Sequence, residues 1–98
     1  MYLVHISLES PSHGDSLPPD AHHMIASSAV ASDGIEHVAV HACARPHPVI
    51  GVLLRAPSLA TAEATVERIW REAARSHKTL SSWVLKRVEV ALPPAGLD

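Results

Sequence analysis

The strongest constraint on what this 98-residue chain can fold into is a hydrophobic period that switches between about 2 and about 3.6 residues. Period two puts alternate side chains on opposite faces of a strand, and the longer period draws a stripe down a helix. Tyr2 to Glu9 alternates, with Tyr2, Val4, Ile6 and Leu8 on one face and Leu3, His5, Ser7 and Glu9 on the other. That is a half-buried strand. Ser10 to Pro19 is dense in turn residues and reads as a loop. Asp20 to Ser32 is expected to be a helix over a thin stripe of Ala21, Met24, Ile25 and Ala29, stopped by Asp33-Gly34. Ile35 to Ala42 alternates again, setting Val38, Val40 and Ala42 against His37, Ala39 and His41. After a proline-bearing connection, Val49 to Ala56 is a third strand whose continuous apolar character, from Val49 to Leu54, predicts a central position covered on both faces. Ser58 is a candidate N-cap for a long helix ending near Ser76-His77. Its stripe is Leu59, Ala62, Val66, Ile69, Trp70 and Ala73, with Glu67/Arg71 and Arg68/Glu72 as ion pairs outside. Trp83 to Leu92 is the fourth strand, stopped by Pro93-Pro94. The expected organisation is one domain over residues 1–92 with a loose tail over 93–98.

The order β-α-β-β-α-β resembles the ferredoxin-like superfold, a likeness carried by the order of elements and by no sequence motif. It implies an α+β domain with a four-stranded antiparallel sheet in the order 4-1-3-2 and both helices on one face. The helix-side core is then Val4, Ile6, Leu8, Val38, Val40, Ile50, Val52, Leu54, Val88 and Val90, joined by Met24, Ile25, Val66, Ile69 and Trp70. The fourth strand conflicts with its own parity, because Lys86 shares a face with Val84 and Val88; a bulge or an edge position resolves this. By alternation the open face carries Leu3, His5, Ser7 and Glu9, then His37, Ala39 and His41. From the other two strands it takes Val49, Gly51, Leu53 and Arg55, then Leu85, Arg87 and Glu89. Such a face is too apolar for water and too polar for a dry core, so a cover is expected. Dimeric α+β barrels pair two such sheets around ligand pockets. The likeness therefore implies a homodimer through the open sheet face.

Composition excludes several partners. A formal net charge of −2, from 8 Lys+Arg and 10 Asp+Glu, disfavours a nucleic-acid surface. Without Phe and with a single Tyr the chain also lacks a base-stacking platform. The longest strongly apolar run, Val49 to Leu54, is far too short for a membrane span, so no membrane partner is expected. One cysteine, Cys43, excludes an internal disulfide and any CxxC motif. The chain opens directly on strand residues with no export leader, which makes the cytoplasm the expected compartment. A preference for Arg over Lys, with abundant Ala, suits GC-rich coding and a bacterial source. Relatives sharing the order of elements are set aside by missing residues: stacking aromatics for RNA-recognition motifs, CxxC for heavy-metal-transport domains, and the strand-one Asn of haem-degrading barrels.

Histidine is the compositional outlier, with eight copies. Imidazole serves as general base, metal ligand or pH-dependent charge near neutrality. His37 and His41 lie four residues apart on one strand, about 13 Å, too far to share an ion. His41 and Cys43 are closer, but two ligands do not make a site. No metal and no cofactor are therefore expected. Gly51 removes a side chain from the open face and leaves a dent bordered by His5 and Ala39. Here His5 or His41 is the candidate general base, with Glu89 or Glu9 as orienting or acidic partner and an Arg to hold a carboxylate. Candidate catalytic residues are thus His5, His41 and Glu89; candidate ligand-binding residues are Glu9, His37, Gly51, Arg55 and Arg87. The competing reading makes Gly51 a bulge, Arg87 and Glu89 a solvated edge, and the histidines interface residues. Three functions follow. The first is a homodimer binding a small molecule on its sheet face, extending to a tailoring enzyme of specialised metabolism with histidine acid/base chemistry. The second is a non-catalytic interaction or regulatory module whose face meets a protein partner. The third is a metal-responsive protein.

Overall fold

The computed structural model describes residues 1–12, 16–42 and 47–91. In chain order the elements are β1 (Tyr2–Glu9), α1 (Ala21–Ser27), a 3-10 turn (Ala31–Asp33), β2 (Ile35–His41) and β3 (Val49–Leu54). They continue with α2 (Leu59–Ser76), the single-turn α3 (Lys78–Ser81) and β4 (Val84–Val90). The strands form one antiparallel sheet in the order β2-β3-β1-β4, the order that the ferredoxin-like succession of elements implies. The helices cover one face: α1 lies against β2, and α2 against β1 and β4. The shortest dimension is 19 Å, the thickness of two layers.

Between the layers, Val4, Ile6 and Leu8 of β1 and Ile50, Val52 and Leu54 of β3 are fully buried against Ile25, Val66, Ile69 and Trp70. Each such aliphatic contributes about 1.5–3 kcal/mol over remaining exposed. Met24, Val38, Val40, Val88 and Val90 reach the same core but stay half-buried, the four valines because β2 and β4 are the sheet's edges. Leu17, Leu80 and Trp83 complete the core. Periodicity overlooks all three, since Leu17 lies in the proline-rich loop, Leu80 in α3, and Trp83 just ahead of β4.

Ser58 caps α2 as expected, its hydroxyl oxygen accepting the Thr61 N–H at 3.2 Å. Leu59 is not part of the buried stripe. It occupies the first helical position, one turn ahead of buried Ala62, and overhangs the core at 49% exposure. The Glu67–Arg71 pair forms at 2.8 Å, but Arg68 and Glu72 do not pair with each other. Arg68 binds Asp33, and Glu72 takes Arg75 and Ser76.

α1 stops at Ser27, five residues short of the expected end at Ser32. The hydroxyls of Ser27 and Ser28 both donate to the Met24 carbonyl, at 3.1 and 2.9 Å, and so compete with the helical ladder. Val30 is then extended, and its N–H is taken by Asp33 Oδ2 at 2.8 Å. Asp33-Gly34 therefore terminates the 3-10 turn and not α1. Gly34 sits at φ 72°, where its carbonyl accepts Arg55 N–H at 2.9 Å. A Cβ at Gly34 would lie 2.6 Å from the Arg55 carbonyl oxygen, so glycine is required there twice over.

Two bulges set the faces of the edge strands. On β4, Ser7 pairs with Arg87 but Leu8 with Leu85, leaving Lys86 as the extra residue. The parity conflict is resolved by reversing part of the open face. Leu85 turns to the core side, correcting its expected exposure, and Val84 takes the open face at 50% exposure. On β2 the register shifts between Ile35 and His37, and Glu36 is the extra residue. β3 is central, as predicted, but the chain covers only one of its faces, and Val49 and Leu53 on the other stay half-buried beside their neighbours. At the outer edge of β4, Glu63 of α2 accepts the Val90 N–H at 3.2 Å, satisfying a donor that β1 cannot reach. The expected tail lies outside the described residues.

Candidate functional site

The register assembles one row across the middle of the open face. Gly51 on β3 pairs with His5 on one side and Ala39 on the other, and His5 pairs in turn with Glu89 on β4. His41 joins diagonally, since it pairs with Val49, two residues from Gly51. The His5 and His41 rings approach to 6.3 Å between centroids with planes at 63°, an edge-on arrangement. Gly51 explains the approach. A Cβ there would lie 3.6 Å from His5 Cδ2, 3.6 Å from Leu3 Cδ1 and 3.7 Å from His41 Nε2. These side chains lean into the space a larger residue would occupy, and Gly51 is buried beneath them.

The remaining candidates spread outward from that centre. Glu89 is adjacent to His5 in register, but its carboxylate meets Arg87 Nη1 at 3.5 Å. Arg87 stands opposite Ser7, and Glu9 meets Lys86 Nζ at 3.6 Å. All four charged side chains are well exposed, so each pair contributes at most about 1 kcal/mol. The β4 side of the face therefore carries two cations and two anions in balance. The β2–β3 side carries His37, His41, Ala39, Val49 and Leu53. His37 pairs with Leu53, one step along the face from the Gly51 row. Arg55 stands apart: it follows β3, four residues or about 13 Å beyond Gly51, and its Nε holds Glu36 at 3.1 Å. The structure thus gathers His5, His41 and Gly51, places Glu89 beside them, and leaves Arg55 outside.

A groove of about 530 Å³ that no sequence period marks lies between α1 and the β2 edge, lined by His22, His23, Ala29, Val30, Glu36 and His37. The His22 and His23 rings lie 4.4 Å apart. Both project from the outer side of a helix whose inner side is Ala21 and Ile25, the signal that could have located the groove. Among the described residues no group of three or more His, Cys, Asp or Glu is arranged to hold a metal. The suggested His41–Cys43 pair involves a residue outside the described set.

Among the described residues two carboxylates are perturbed, both off the open face. Burial raises the pKa of Asp33, but hydrogen bonds from Arg68 and the Val30 N–H, with the Arg68 charge, outweigh it and hold the group below its usual range. Glu72 is lowered by hydrogen bonds from Ser76 and Arg75. No helix among the described residues is long and apolar enough to cross a membrane.

Comparison with protein families, curated proteins and solved structures finds no match.

Proposed function

We propose that the chain is a ferredoxin-like module that pairs with a second copy through its open sheet face, in the manner of dimeric α+β barrels. A small molecule binds between the two faces, with His5 and His41 as acid–base groups and Glu89 orienting His5. The convergence of two imidazoles over Gly51, 6.3 Å apart, carries this reading. Neutral imidazole offers one donor and one acceptor, so two rings at this separation can take a proton from one atom of a ligand and return it to another. Within one chain Leu3, His5 and His41 border the space over Gly51, at van der Waals distance from where a Cβ would stand, so the ligand lies above them, where a second sheet closes the site. Leu3 at 40% exposure and Val84 at 50% give the face apolar area to bury. Glu9, His37 and Arg87 stand around the contact, and Arg55 lies at its far end.

A metabolite panel screened by thermal shift, followed by titration of the best ligand, tests the proposal. His5→Ala and His41→Ala should each abolish ligand binding and leave the dimer intact. A second reading, the non-catalytic interaction module, draws on the same exposed Leu3 and Val84 and on the balanced ion pairs beside them. It predicts that these substitutions change association with a protein partner only.

A further inference from the structure

We infer that His5 and His41 are half of a divalent transition-metal site, of the kind filled by Zn²⁺, which the same pair of a second copy completes across the open face. Metal loading then regulates the site, because a ligated imidazole has no lone pair left for proton transfer. The inference rests on the pairing proposed above.

Three observations carry it. The first is the spacing across β3. Two imidazoles sharing a tetrahedral Zn²⁺, with Zn–N of about 2.0–2.1 Å, hold their ring centroids roughly 5–5.5 Å apart. The observed 6.3 Å requires a closure of only about 1 Å, within reach of side-chain rotation for an exposed His41 and a half-buried His5. Two histidines on one strand cannot do this; a diagonal pair over a glycine can. The second observation is position. The pair flanks Gly51 of the central strand β3, in the middle of the open face, where a two-fold partner adds the two further nitrogens that a closed tetrahedron needs. The third is the face itself. Packed sheets lie about 10 Å apart, which puts the mid-plane at about 5 Å above each strand layer, near the height an imidazole's outer nitrogen reaches. A two-fold axis beside Gly51 brings two identical pairs together there. The balanced charges of Glu9, Lys86, Arg87 and Glu89 let such faces approach without net repulsion.

Titration of the metal-stripped chain with Zn²⁺, by calorimetry and sedimentation in parallel, tests the inference. One Zn²⁺ per two chains is expected, with dimer affinity raised about tenfold or more by mass action. His5→Ala and His41→Ala should each lose this stoichiometric binding; should His5→Ala fail to fold, the exposed His41 decides. The double variant His22→Ala/His23→Ala should keep it. A metal-free dimer that takes up no Zn²⁺ overturns the metal site and leaves the pairing standing. A chain that stays monomeric with and without Zn²⁺ overturns both. Binding of one ion per chain, or its loss in the His22/His23 variant, assigns the metal elsewhere and also overturns the inference.

Discussion

The two faces of this sheet are made from alternate residues of the same strands, yet they are chemically opposite. On the helix side Val4, Ile6, Leu8, Ile50, Val52 and Leu54 are fully buried. On the other side the intervening Leu3, His5, Ser7, Val49 and Leu53 remain half-buried or exposed. The helix face is specified by volume and the open face by chemistry: one packs aliphatic side chains, the other presents imidazoles, a glycine and two ion pairs. A one-residue change of parity moves a side chain between these worlds, as Lys86 does for Leu85 and Val84.

That contrast makes graded predictions. Ile50→Ala, on the covered face, should cost about 3–4 kcal/mol, read by urea denaturation; a loss under about 1 kcal/mol would mean the helix layer is not packed as described. Gly34→Ala, where a Cβ would strike the Arg55 carbonyl, should cost about 2 kcal/mol. Asp33→Asn, at the tie between the 3-10 turn and α2, should cost about 1 kcal/mol, limited by the solvent around half-exposed Arg68. Its pH dependence is specific. Asp33 is held below its usual range, so its contribution is complete above the unfolded-state value and disappears as pH falls through the lowered folded one. Stability curves of wild type and Asp33→Asn should therefore converge on the acid side of the carboxylate range. On the open face Gly51→Ala should change stability by no more than about 0.5 kcal/mol, since its Cβ would make only ordinary contacts. The added methyl would nonetheless occupy the room into which the two rings must close, and should weaken Zn²⁺ uptake. Full Zn²⁺ affinity in Gly51→Ala would detach the histidines from that glycine.

Much of this architecture was legible in the residues. Alternation placed β1 at its exact bounds, and the apolar stripe with Ser58 placed α2. What stayed hidden has physical causes. The early end of α1 depends on two serine hydroxyls turning back to one carbonyl, a competition that composition does not rank. The pairing of Arg68 with Asp33 is a contact between residues 35 apart, invisible to helical spacing. α3 is four residues long, too short for any period to register. For the site, parity put His5, His37 and His41 on one face, but only cross-strand register brings His5 and His41 together while leaving Arg55 at the strand's end. Spacing along one strand offers only His37 and His41, which lie about 13 Å apart. The pair that meets spans three strands.

Sedimentation velocity on the wild-type chain and on Leu3→Asp, from micromolar to millimolar concentration, addresses the open face directly. Wild type should sediment at twice the chain's mass at micromolar concentration, and Leu3→Asp as a monomer with an unchanged circular dichroism spectrum. A wild-type monomer across the whole range, or a Leu3→Asp chain that dimerises as tightly as wild type, would contradict pairing through that face.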